Sequence, residues 1–151
     1  MAFVLPQELK VILVAMSPIV ELRGAIPLAI KVYGLPVWLS YLLSVAGNLV
    51  SLLGIVWLGR PIADFFSKRY SCFKIFFDWL FEKVGKKANL LLGKIGASLT
   101  VLVLTALPIP FIGGWTGALA AILLDTPKPK AMILVFWGAA ISGLIVTLLS
   151  I

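Results

Sequence analysis

The stretch "SPIVELRGAIPLAI" (Ser17–Ile30) places a glutamate and an arginine two residues apart inside an otherwise apolar segment. The same stretch is interrupted by Pro18, Gly24 and Pro27. A proline in the interior of a helix removes a hydrogen bond and clashes with the preceding turn, at a cost of about 3 kcal/mol. We therefore predict a broken helix here and ask what shelters the two charges.

The 151-residue chain is far more apolar than a water-soluble domain, with 62% hydrophobic and 13% charged residues and a mean hydropathy of +1.13. Soluble domains carry about 25% charged residues. Three runs contain no charge at all: Leu35–Gly59, Ile95–Leu124 and Ala131–Ile151. Each is long enough for the roughly 20 apolar residues of a spanning helix. We predict an all-α integral membrane protein with one membrane domain, 1–151.

The residue inventory argues against an enzyme. The chain has one cysteine, Cys72, and no histidine, so it lacks a disulfide framework, the usual general base and the commonest metal ligand. No carboxylate pair, metal-ligand cluster or Gly-rich phosphate loop stands out, and no signal peptide is predicted. We interpret the net charge of +7 as membrane orientation and attraction to anionic lipid headgroups, and predict no nucleic-acid partner.

A second interrupted stretch, "LPIPFIGGWTGALA" (107–120), aligns with the first at an offset of 90 residues. Pro18 then matches Pro108, and Gly24 matches Gly114. One inserted residue later, further small residues match in the pairs Gly47 with Gly138 and Ser51 with Ser142. We predict two repeats, 1–59 and 95–151, each a broken segment followed by a spanning helix. The small residues predict close helix approach, with a homodimer seam as a second use.

The middle segment, 60–94, holds eight of the thirteen basic residues. Its apolar residues recur at steps of four and three, which indicates an amphipathic helix; they are Phe66, Tyr70, Phe73, Phe77, Leu80 and Val84. A basic, aromatic helix of this kind is typical of the membrane interface. The alternative is a helix docked on its own protein. We predict a cytoplasmic amphipathic linker.

Charge also bears on topology. If both broken segments simply span, residues 60–94 and 125–130 face opposite sides. If each broken segment is a re-entrant hairpin, residues 60–94 and 125–130 both face the cytoplasm. Ten of the thirteen basic residues then lie on the cytoplasmic side, as the positive-inside bias favours. We favour the second arrangement. It inverts the two halves relative to each other, which is the plan of many secondary transporters, and we place the protein in the cell membrane.

The candidate site is built around Glu21 and Arg23. Residues i and i+2 of a helix do not face each other, but in a broken turn both side chains can point into one cavity. Arg23 suits a phosphate or carboxylate. Glu21 either pairs with Arg23 or carries a coupling H⁺ or Na⁺, and we predict no other cofactor. The alternative is a structural pair that fixes the hairpin tip.

The other candidate residues belong to the breaks or lie near them. Trp115 either stacks over a ligand or packs, and Asn48 either lines a pathway or hydrogen-bonds a neighbouring helix. The remaining candidates are the backbone-breaking residues Pro18, Gly24, Pro27, Pro108, Pro110, Gly113 and Gly114.

The segments "ELRGAIPLAI" (21–30), "GLP" (34–36) and "LPIPFIGGWTGALAA" (107–121), with the basic segment between them, resemble the small multi-drug export protein family. That family is distantly similar to the DedA/VTT superfamily, membrane proteins with two re-entrant hairpins, some of which move polyprenyl or phospholipid molecules between leaflets. The resemblance implies a functional core of Glu21, Arg23, Gly24, Pro27, Pro108, Pro110 and Gly114. DedA relatives usually carry charge in both halves, whereas the second break here has none.

These observations predict an inverted-repeat transporter that translocates an amphipathic, anionic lipid-linked phosphate or phospholipid. One alternative is proton-coupled export of small cationic drugs, with Glu21 as the exchanged carboxylate. The other is a non-transporting membrane scaffold whose small-residue helices recruit partners.

Overall fold

The computed structural model describes residues 5–109 and 113–151, and within these ranges the chain forms helices and no strand. The all-α prediction is confirmed. The helices are α1 (Gln7–Met16), α2 (Glu21–Pro27, continuing as a π-helical turn, Leu28–Val32), α3 (Val37–Arg69), α4 (Ser71–Ile95), α5 (Ala97–Ala106), α6 (Gly114–Leu123) and α7 (Lys128–Ser150). Pro110, a predicted site residue, lies outside the described residues.

Three segments of the described chain are long and apolar enough to cross a membrane: α3, α7 and Ser71–Ala106, which comprises α4 and α5. With 33 residues, α3 is about 50 Å long and exceeds the roughly 30 Å of a hydrocarbon core. Large apolar side chains such as Leu148 and Leu149 face outward, as lipid-facing residues do. The chain is a multi-pass membrane protein.

Both stretches predicted to be broken are broken. The first break, 17–20, separates α1 from α2. The second break follows the end of α5 at Ala106, its described residues are 107–109 and Gly113, and α6 begins at Gly114. With ten residues each, α1, α5 and α6 are about 15 Å long, half of what a crossing needs. The two arms of each broken segment contact each other. Entry and exit of each segment on the same side of the membrane stays a prediction.

Not every predicted helix breaker lies at a break. Pro18 is in the turn between α1 and α2, whereas Gly24 and Pro27 are within α2. Pro27 is the last α-helical residue before the π-helical turn, so its missing N–H coincides with a change of helix type. The stretch is broken as predicted, but the break is at 17–20, and Gly24 and Pro27 do not lie in it.

Helix packing pairs the two halves of the chain. The small residue Gly47 lets α3 approach α1, since a Cβ there would lie 2.5 Å from the Ile12 carbonyl oxygen. Gly138 lets α7 approach α5 in the same way, with a Cβ 2.5 Å from that of Thr105 and 3.2 Å from the Leu102 carbonyl. The predicted close approach is confirmed, and Ile12 and Leu102 keep the offset of 90 residues. The second arms cross over: α2 packs on α7, and α6 packs on α3.

The amphipathic segment differs from the prediction of one continuous helix through 66–84. The backbone is extended at Tyr70 (φ −133°, ψ 126°), so α3 ends at Arg69 and α4 folds back against α3. The rings of Phe66 and Phe73 are 5.1 Å apart across this turn. On its inner side α4 packs on α5 and α6 through Val84 and Ala88. An interfacial position for α4 stays a prediction.

The junction between α4 and α5 depends on Gly96, whose φ of 82° and ψ of 170° form a conformation that is essentially restricted to glycine. We expect Gly96→Ala to lower the free energy of unfolding by about 1–3 kcal/mol, measured by denaturation in detergent micelles. The control is Gly93→Ala, at an exposed helical position where a Cβ meets nothing within 4 Å. The control should be neutral or slightly stabilising; equal losses for both variants would contradict the prediction.

Candidate functional site

Glu21, the first residue of α2, has an unusual backbone and a buried side chain. Its φ of 49° is in the left-handed region, which non-glycine residues rarely adopt. Only 7% of the residue is exposed. The strain is held in place by packing, because Leu22 and Ile26 of α2 contact Val45 of α3 and Val146 of α7. Strained residues that the surrounding structure holds in place cluster at functional sites.

The Glu21 carboxylate reaches the N-terminus of α6 in the other half of the chain. Its Oε1 accepts a hydrogen bond of 3.1 Å from the Trp115 backbone N–H, and the Gly114 N–H also faces the carboxylate. A Cβ on Gly113 would lie 2.7 Å from Oε2, so a residue without a side chain is needed there. The first amides of a helix have no partner within the helix and favour a negative charge. Glu21 therefore caps α6.

Arg23 points to a different partner. Its side chain is half-buried, and Nη2 donates a hydrogen bond of 3.2 Å to the Ile19 carbonyl oxygen in the first break. Among the described residues, Glu21 and Arg23 form no ion pair. The Glu21 carboxylate binds the second half of the chain, whereas the Arg23 guanidinium binds the turn that precedes its own helix.

Asn48 of α3 lies beside the start of α6. It is 1% exposed, and its Nδ2 would be 3.3 Å from a Cβ added to Gly114. Its Oδ1 and the Trp115 Nε1 are buried and have no hydrogen-bond partner in the described part of the chain. An unsatisfied buried polar atom costs about 1–3 kcal/mol. We call Glu21, Asn48, Gly113, Gly114 and Trp115 the junction.

Two serines of α3, Ser44 and Ser51, add polar groups to the helix that carries Asn48. The sequence analysis did not select them as site residues. Ser51 donates a hydrogen bond of 2.8 Å to the carbonyl oxygen of Met16, at the C-terminal end of α1. Ser44 is fully buried, and its Oγ lacks a partner among the described residues. It precedes Asn48 by four residues on α3, so both are on one helix face. The spacing of four residues between these polar side chains in an apolar helix could have identified Ser44 from the sequence.

A cavity of about 750 Å³ lies between α3, α4 and α6. One end adjoins the first break and the junction, where Pro18, Ser51 and Trp115 line it. The other end is apolar and includes Ile62 and Phe76. Lys83 and Lys87 of α4 also line the cavity, and Arg23 does not. The sequence analysis missed both lysines, although their spacing of four residues on an amphipathic helix was visible.

A second cavity, of about 430 Å³, adjoins the turn between α6 and α7. There Arg60 lies 3.7 Å from Asp125, and the ammonium of Lys128 is 4.7 Å from the ring centre of Trp57. Both partners of the ion pair are largely exposed, so the pair contributes little to stability.

Fold and site together define the class: a multi-pass, all-helical membrane protein in which two broken helical segments meet at a buried polar junction beside an amphipathic cavity. The chain belongs to the family described as "Putative small multi-drug export protein", which matches residues 21–145. The match begins at Glu21 and includes α6, so both partners of the capping contact lie within it. No curated protein and no solved structure matches the chain.

Proposed function

We propose that this protein is a transporter of the cell membrane that moves an amphipathic, anionic substrate, a lipid-linked phosphate or a phospholipid, across the bilayer. The observation that carries the proposal is the contact between Glu21 and the N-terminus of α6. It joins the two broken segments at a buried position, so a movement of one segment changes the hydrogen bonding of the other.

Broken helices support a transport function for a physical reason. Non-helical backbone at membrane depth is tolerated only where it is buried in protein or lines a water-filled cavity. Interrupted apolar segments at corresponding places in two halves mark the binding sites of many transporters. The first break, 17–20, and the second, described at 107–109 and Gly113, are such a pair.

The matched helix contacts support an inverted-repeat arrangement with two re-entrant hairpins. The contact of α1 with α3 corresponds to that of α5 with α7, and the contact of α2 with α7 corresponds to that of α6 with α3. In alternating access, one such half rocks against the other around a fixed site. Rocking would strain or break the hydrogen bond between Glu21 and α6. The contact would therefore form in one conformation of the transporter and be lost in the other.

Basic side chains support an anionic substrate. Arg23 provides planar donors at the first break, which suit a phosphate. Lys83 and Lys87 add positive charge to the neighbouring cavity, and basic segments attract anionic lipids. The apolar end of the cavity matches the hydrocarbon part of an amphipathic molecule.

Proton-coupled export of small cationic drugs is the second candidate function. It agrees with the description of the family to which the chain belongs. It is also favoured by Glu21, the only buried charged residue in the described part of the chain. In this alternative, Glu21 exchanges a proton for the cation.

Reconstitution in liposomes tests the proposal. We expect Arg23→Ala to slow translocation of a fluorescent lipid phosphate about ten- to hundredfold, because a hydrogen bond to a charged group contributes roughly 1.5–3 kcal/mol. The matched control is Arg69→Ala, at the exposed end of α3, which should keep the wild-type rate. Unchanged translocation in Arg23→Ala would overturn the lipid-phosphate function. Drug-driven proton flux that is lost in Glu21→Gln would establish the alternative.

A further inference from the structure

We infer that the cavity between α3, α4 and α6 binds the hydrocarbon chain of a long-chain phosphate monoester, with the phosphate held beside Lys83 and Lys87. The inference rests on the proposed function and specifies its substrate class and a binding place that adjoins the first break but is distinct from the Arg23 guanidinium, which does not line the cavity. It makes α4 a wall of the binding site rather than only a membrane anchor.

The volume and the lining of the cavity indicate a ligand with one apolar chain. Its volume of about 750 Å³ is within the roughly 300–1,000 Å³ of small-molecule sites. Its walls are mainly aliphatic and aromatic side chains; those of α3 are Ile55, Leu58 and Ile62, and those of α4 include Phe76, Phe77 and Leu80. Leu58, Ile62 and Phe76 remain exposed, so the cavity is open on one side to a chain that enters from the lipid.

The charge of the lining selects an anion. Two lysines and no carboxylate are among the described residues that line the cavity. The ammonium of Lys83 is 4.7 Å from the ring centre of Trp79. Glu82, the adjacent acidic residue, is exposed and pairs with Lys86 at 3.2 Å. The cavity is therefore complementary to a negative group, and no carboxylate among its described lining residues would neutralise a cation.

Trp115 has a second polar group that a ligand at the junction end could reach. It lines the cavity, and its indole N–H is buried without a hydrogen-bond partner among the described residues. A phosphate oxygen would satisfy this donor and offset the cost of its burial. Because the Trp115 backbone N–H also binds Glu21, a ligand here would contact the residue that joins the two halves.

Binding measurements on the full-length protein in an uncharged detergent test the inference. The probes are hexadecyl phosphate, hexadecanol, inorganic phosphate and hexadecyltrimethylammonium, with dissociation constants from native mass spectrometry. We expect hexadecyl phosphate to bind about tenfold or more tightly than hexadecanol, because the alcohol lacks the phosphate that the lysines bind. Inorganic phosphate should bind weakly, because it lacks the hydrocarbon chain that fills the cavity. Equal binding of the alcohol, or tighter binding of the cation or of inorganic phosphate, would overturn the inference.

A cavity-filling variant tests the location. Gly54 lines the cavity, and a Cβ there meets nothing within 4 Å, so Gly54→Trp should fill the space without a backbone clash. We expect it to weaken binding of hexadecyl phosphate about tenfold or more. Gly93→Trp, the same change at an exposed position of α4, should bind as the wild type does. Unweakened binding in folded Gly54→Trp would overturn the location.

Lysine variants give an independent measurement that does not depend on the folding of Gly54→Trp. Lys83→Gln should weaken binding of hexadecyl phosphate but leave that of hexadecanol unchanged, and Lys86→Gln, which alters only the exposed pair with Glu82, should change neither. Equal effects of the two variants would overturn the role of Lys83. Cavity binding without translocation in liposomes would refute the transport function alone, whereas translocation that is insensitive to Gly54→Trp would refute the inference alone.

Discussion

Gly47→Ala is expected to lower the free energy of unfolding by about 2–3 kcal/mol, the upper part of the range for overpacked cores. The added Cβ would lie 2.5 Å from the Ile12 carbonyl oxygen and 3.0 Å from the Ile12 Cα. Both atoms are backbone, so no side-chain rotation relieves the clash, and α1 must move away from α3. Denaturant-induced unfolding in detergent micelles, followed by circular dichroism, measures the loss.

The matched control for this prediction is Gly54→Ala, two turns further along α3, where a Cβ has open space. Alanine favours a helix over glycine by roughly 0.5–1 kcal/mol, so the control should be neutral or stabilised. Gly138→Ala should also be destabilised, because a Cβ there would lie 2.5 Å from the Thr105 Cβ and 3.2 Å from the Leu102 carbonyl oxygen. Equal stability of the Gly47 and Gly54 variants would show that α1 and α3 are not in tight contact.

Glu21→Ala is expected to lower the free energy of unfolding by about 2–3 kcal/mol and to abolish transport. The substitution removes the acceptor for the first amides of α6, and a buried donor left unsatisfied costs about 1–3 kcal/mol. Glu21→Gln keeps an acceptor oxygen but loses the charge, and charge-assisted hydrogen bonds are about twice as strong as neutral ones. We therefore expect an intermediate loss for Glu21→Gln. Thermal unfolding and liposome transport, measured together, check both effects.

Glu82→Ala is the matched control, because it also removes a glutamate, but one that is exposed and paired with Lys86. Such pairs contribute about 0.3–0.5 kcal/mol, so both stability and transport should be nearly unchanged. If Glu21→Ala is as stable as Glu82→Ala, the carboxylate does not cap α6 in the folded protein.

Much of the fold was predictable because its determinants are local. Apolar length predicts α3 and α7, and proline and glycine at Pro18, Pro108 and Gly113 predict the two breaks. The breaks follow from the missing N–H of proline and the freedom of glycine, which act on the nearest turn. The turn at Tyr70 was missed because an apolar stripe with helical spacing continues across it and does not record that α4 folds back on α3.

The partners of the site residues were not predictable. The sequence analysis placed Glu21 and Arg23 at one cavity, with an ion pair between them as one of several roles for Glu21. In the structure, Glu21 binds an amide 94 residues away and Arg23 binds the Ile19 carbonyl. The left-handed backbone conformation at Glu21 accompanies the orientation of its side chain toward α6. The sequence analysis placed Lys83 in an interfacial amphipathic helix. It lines a cavity only because α4 packs beside α3 and α6.

The sequence by itself determined that the chain is helical, that it belongs in a membrane and that it is interrupted twice, because each depends on hydropathy or backbone chemistry within one or two turns. Only the tertiary structure decided which helix end receives the Glu21 carboxylate and where the cavity opens. Those features arise from contacts between segments far apart in the chain. Their geometry depends on which helices approach closely at Gly47 and Gly138: the small residues predict a close approach, but they do not specify its partner helix.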